Sequence, residues 1–92
     1  MSYLKILSPD EEEFVWIKRP AMGGRSYMII NFAEKRTAFA DMLDTLSYIS
    51  VEEVSAIDDQ LASIVFRFDE QRPENYVSMM ADIPAIMDSL PL

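Results

Sequence analysis

Histidine and cysteine are both absent from this 92-residue chain, and its only glycines are Gly23 and Gly24. Without histidine there is no imidazole acid–base near neutral pH and no Ser-His-Asp triad. Without cysteine there are no disulfides and no thiolate nucleophile, and the usual zinc and haem ligand sets cannot be assembled. Two adjacent glycines cannot supply a GxGxxG or GxxxxGK[ST] phosphate loop. Bases are scarce too, 8 against 16 acids, for a net charge of −8. The longest apolar runs span only a few residues, so neither a membrane span nor a signal-peptide core is expected. Lack of cysteine suits a cytoplasmic location.

Half of the residues are hydrophobic, 11% are aromatic, and the mean hydropathy is +0.02. That is enough apolar material for a folded chain despite the charge. At 10.6 kDa, residues 1–92 are expected to form a single compact domain. Its folded surface should be roughly 5,500 Å².

Carboxylates are the only remaining chemistry. Asp41-x-x-Asp44, Glu52-Glu53 and Asp58-Asp59 are the local candidates for a raised-pKa acid or an oxygen-ligated cation. No EF-hand pattern accompanies them, and solvated surface acids explain them more simply. The expectation is a protein that is not an enzyme and has no cofactor and no metal.

The pattern of residues predicts an α+β fold. Residues 2–7 read as a strand. Ser8-Pro9-Asp10-Glu11 resembles a helix start, but Phe14-Val15-Trp16-Ile17 is a continuous apolar run that no amphipathic helix shows. One turn-like step over 9–12, followed by a strand over about 13–19, reconciles the two. Pro20 ends that strand, Gly23-Gly24 supplies a positive-φ turn, and Ser26 to Asn31 returns as the partner. Apolar residues on both sides of this pair predict that it is central or covered on both faces.

Asn31-x-x-Glu34 fits a capping box, with Phe32, Phe39, Leu43 and Leu46 at helical spacing behind it. Ser50-x-x-Glu53 reads as a second capping box, opening a short helix with an inner face of Val51, Val54, Ile57 and Leu61. Residues 63–69 alternate, with Ile64, Phe66 and Phe68 inward. A last helix covers about 75–89, kinked or divided at Pro84 with Asp82 as a cap. The predicted order is β-β-β-α-α-β-α. It forms a small, mostly antiparallel sheet of about four strands with helices packed on one face.

Charge is distributed unevenly. Residues 1–36 carry six bases and five acids, whereas residues 37–92 carry two bases and eleven acids. The doublets Glu52-Glu53, Asp58-Asp59 and Asp69-Glu70 are the candidate partner-binding residues, either simply solubilising or steering a basic protein. Direct nucleic acid and anionic membranes would be repelled. Met79, Met80 and Met87 cluster with Ile83, Ile86 and Leu90. They either fill the core or form an association surface for a homodimer. Trp16 is expected in the core rather than at an interface, and Lys18 to Arg25 forms a basic hairpin tip.

The function expected from sequence is a small acidic protein-binding module, an inhibitor or viral antagonist that occludes a basic surface of its partner. That partner could be a nucleic-acid-binding protein, with this chain acting as a mimic of nucleic acid. The alternatives are an assembly subunit using the methionine surface, and a carboxylate-based enzyme or cation site.

Overall fold

The computed structural model describes residues 3–18 and 25–91. The expected glycine turn and most of the basic hairpin tip lie outside the described residues. Five strands form one antiparallel sheet: β1 (Tyr3–Leu7), β2 (Phe14–Lys18), β3 (Arg25–Ile30), β4 (Ser50–Ala56) and β5 (Ala62–Arg67). Their spatial order is β1-β2-β3-β5-β4. The helices are α1 (Arg36–Asp44), entered through a 3-10 turn at Ala33–Lys35, and α2 (Pro73–Ser89). α1 lies against β4, α2 against β1, and the two helices touch each other. The fold is α+β, with one strand more than the sequence suggests.

The buried side chains form one cluster between the sheet and the helices. Val15 and Ile17 from β2, Met28 and Ile30 from β3, and Ile64 and Phe66 from β5 supply the sheet side. Phe39 and Leu43 from α1 and Met79 and Ile83 from α2 cover them. Phe68 joins this core as expected, while Leu46 packs against its edge, half-buried. The total accessible surface, 5,751 Å², agrees with the size-scaling expectation.

The expected helix over residues 50–61 is not formed; strand β4 occupies its place. The periodicity misled for a physical reason. Val51 sits opposite Phe66 and Val54 opposite Ile64, so both face the core although they are three residues apart. A regular strand would turn one of them outward. A β-bulge between Val51 and Glu53 absorbs the extra residue. A bulged strand therefore reproduces the i, i+3 spacing of a helix. Beyond β4, the Asp58 side chain accepts hydrogen bonds from the backbone N–H groups of Gln60 and Leu61, both at 2.7 Å, and closes the hairpin.

Neither predicted capping box is made. Asn31 instead joins two strands: its Oδ1 accepts from the Phe14 amide at 2.7 Å and its Nδ2 donates to the Glu12 carbonyl at 3.0 Å. The segment before β2 is the expected turn. Ser8 Oγ donates to Asp10 Oδ1 and accepts from the Glu13 amide, while Glu11 adopts φ 63°. Helix α2 is a single assigned helix that includes Pro84. Asp82 caps nothing there; its Oδ2 accepts a hydrogen bond from Tyr48 Oη at 2.7 Å.

Candidate binding surface

Both helices lie on one side of the sheet, so the other face has no covering layer among the described residues. The β2–β3 pair is central, as expected, but it is not covered on both faces. Alternation along β2 buries Val15 and Ile17 and turns Trp16 and Lys18 outward; along β3 it buries Ser26, Met28 and Ile30 and turns Tyr27 outward. Trp16 is 41% exposed, Leu7 41% and Tyr27 39%, which corrects the expectation of a core tryptophan. A continuous apolar run predicts two covered faces only if a second layer exists. Here the apolar side chains of the outer face meet solvent.

Cross-strand register arranges this face in rows. Leu7 pairs with Phe14. Lys5, Trp16, Ile29, Ser63 and Ser55 form the next row, strand by strand, and Lys18, Tyr27, Val65 and Glu53 the row after it. Lys5 Nζ lies 5.4 Å from the centroid of the Phe14 ring and Lys18 Nζ 5.7 Å from that of Tyr27, both within cation–π range. At the next level Arg25 and Arg67 converge on Glu52, with Nε to carboxylate distances of 2.8 and 2.6 Å. The hydrogen bond from Arg67, with the charge of Arg25, holds the Glu52 carboxyl below its usual range. The face thus has an aromatic, lysine-bearing half on β1 and β2. The other half, on β5 and β4, is built from small side chains, acids and Arg67, which Glu52 holds.

The six acids singled out from sequence do not form one surface. Glu52 is bound to two arginines, whereas Glu53 is exposed beside Val65 on the open face. Asp58 is occupied in closing the hairpin, and the hydrogen bonds from Leu61 and Gln60 hold its carboxyl below the usual range. Asp59 is exposed in the same turn. Asp69 and Glu70 lie at the opposite end of β5. Asp69 is within 3.5 Å of Arg72 and accepts the Gln71 amide. The length of β5 separates the Asp58–Asp59 turn from Asp69 and Glu70 by roughly 20 Å, and Glu52 and Glu53 lie between them along β4.

Of the two readings of the methionine cluster, core filling describes Met79 and Met87, and the exposed surface only Met80. Met79 and Met87 are buried at 0% and 3% exposure, and only Met80, at 55%, faces outward. The helix is amphipathic, and its inner stripe takes Met79, Ile83, Ile86 and Met87 into the core.

No group of three or more acids able to hold a metal ion occurs among the described residues. An open cleft of about 590 Å³ runs between Ser47–Ser50 and Arg67–Gln71, lined in part by Tyr48, Phe68 and Glu70. Near it, Tyr48 has its hydroxyl pKa pushed up, first by burial and then by its bond to Asp82. This hydroxyl donates to Asp82 and ties the segment before β4 to α2. No α-helix is long and apolar enough to cross a membrane among the described residues. No family model, curated protein or solved structure matches this chain.

Proposed function

We propose that this chain is a non-catalytic protein-binding module that docks a protein through its open sheet face. One observation carries the reading: Trp16, Tyr27 and Leu7 are each about 40% exposed on the one uncovered face of the sheet. Exposed aromatics gathered on a rigid sheet are the composition of interface anchors, in which tryptophan and tyrosine are enriched. Lysines placed over the rings shield that apolar surface and add charge selectivity at its rim. Capture of a binding protein from host extract by wild-type chain, compared with a Trp16→Ala/Tyr27→Ala variant, tests it. Loss of capture with unchanged thermal unfolding supports the reading, and retained capture overturns it.

The exposed acids Glu53 and Asp59 on the edge strand and its turn favour a second reading. Here the chain is an inhibitor or viral antagonist acting in the cytoplasm, which occludes a basic, nucleic-acid-binding surface through the β4 side. The clean variant is Glu53→Gln/Asp59→Asn, because Glu52 and Asp58 have structural bonds. This reading expects a slower on-rate in that variant and competition by DNA for the captured protein.

A further inference from the structure

We propose that the occupant of the open face is a second copy of this chain, packed sheet to sheet about a two-fold axis that runs parallel to the strands over β3. This rests on the reading of that face as a protein contact surface and names its partner. The argument is the asymmetry of the face. Bulk and positive charge lie on β1 and β2, in Lys5, Phe14, Trp16 and Lys18. On β5 and β4 lie the small or acidic Ser63, Val65, Ser55 and Glu53, together with Arg67, whose charge is met by Glu52 of the same chain.

A two-fold parallel to the strands reverses the strand order and leaves the rows at the same level. It therefore lays β1 and β2 of one copy over β4 and β5 of the other, and β3 over β3. Trp16 then meets the shallow patch at Ser63 and Ser55 of the second copy, and Ile29 meets Ile29. Glu53 comes down between Lys5 and Lys18. Packed sheets stand about 10 Å apart, which long lysine and glutamate side chains can span. The two copies of Arg25 approach each other at the axis, each bound to its own Glu52. An axis across the strands would instead lay the lysine-bearing half over itself, so charge selects the first arrangement.

Size and net charge set the strength. Five strands about 4.8 Å apart and five to seven residues long give a face of roughly 400 Å² in projection on each copy, the size of a weak, transient contact. Each copy also carries a net charge of −8. At physiological salt the Debye length of about 8 Å screens the long-range repulsion between copies more than the direct Lys18–Glu53 contacts. A weak dimer is expected, stronger at physiological salt than at low salt.

Sedimentation equilibrium of the full chain up to about 300 µM in 0.15 M salt reads the dimer directly. The decisive variants are Lys18→Glu, Glu53→Lys and the double exchange. Within one chain these two residues stand three strand intervals apart, about 14 Å, so any compensation between them reports contact between copies. Both are exposed, and unchanged unfolding temperatures confirm that each variant folds. Each single change should weaken dimerisation about tenfold, and the double exchange should recover most of that loss. A wild-type monomer at the highest concentration overturns the dimer, as does a double variant no better than the singles. If the dimer fails while Trp16→Ala/Tyr27→Ala still abolishes capture of a different protein, the sheet-face reading survives with another occupant. If that variant also changes nothing, both fall.

Discussion

Asn31 Oδ1 accepts the Phe14 backbone amide at 2.7 Å across 17 residues of sequence, so one side chain fixes where β2 begins relative to the end of β3. Its amide nitrogen reaches the Glu12 carbonyl in the same clamp. Replacing Asn31 with Ala leaves a half-buried donor without this partner and should cost about 1 to 2 kcal/mol in urea denaturation. Asn31→Asp keeps the acceptor and loses the donor, so it should fall between wild type and Ala. Equal stability for wild type and Ala would remove the clamp from the account.

Phe66 is fully buried on β5, with its ring 5.5 Å from that of Phe68. Phe66→Ala should cost about 3 to 5 kcal/mol, through lost transfer energy and the cavity left behind. That is a large share of the stability of a small domain. Ile57→Ala is the control. With Ile57 54% exposed, it should stay within about 1 kcal/mol of wild type.

The bulge predicts a difference between removing the Glu52 side chain and removing the residue. Glu52→Ala breaks two exposed ion pairs, an effect of about 1 kcal/mol or less for such surface contacts. Deleting Glu52 takes out the residue that lets Val51 and Val54 share a face, and forces one of them outward or the pairing out of register. The deletion should be worse than the alanine variant by at least about 1.5 kcal/mol, the scale of burying one valine. Comparable midpoints for the two would mean that the β4–β5 pairing does not depend on the bulge.

Acid stability should report on the β4–β5 turn. The Asp58 carboxyl sits below its ordinary value of 3.8, first because of the Leu61 amide and then that of Gln60. A folded pKa lower than the unfolded one contributes stability that is complete above the unfolded value and is lost as pH falls through the folded one. Asp58→Asn keeps a neutral acceptor and loses that dependence. The gap in melting temperature between wild type and Asp58→Asn should therefore be widest near neutral pH and close progressively below about pH 4. Parallel curves from pH 7 to pH 2 would contradict this role.

These roles also change how the acidic doublets can be tested. Neutralising Glu52, Glu53, Asp58 and Asp59 together would remove the two carboxylates that hold Arg25, Arg67 and the hairpin turn. Any loss of binding would then be mixed with loss of fold. Glu53 and Asp59 alone separate charge from structure.

Much of the fold was legible from residue pattern alone. Alternation at Ile64, Phe66 and Phe68 marked β5 and its inward face, and the spacing of Phe39 and Leu43 marked the buried side of α1. Both are local properties, set by the geometry of a strand and of a helix, and neighbouring elements do not alter them. The missing histidine and cysteine excluded reaction classes irrespective of fold. Three outcomes were decided only in three dimensions. Whether Val51 and Val54 belonged to a helix or a bulged strand depended on Phe66 and Ile64 lying opposite them across the sheet. Whether Met79 and Met87 were buried depended on which side of α2 met the sheet. The exposure of Trp16 depended on both helices landing on the same side: sequence reports that a residue is apolar, but only the packing of layers determines whether another surface covers it.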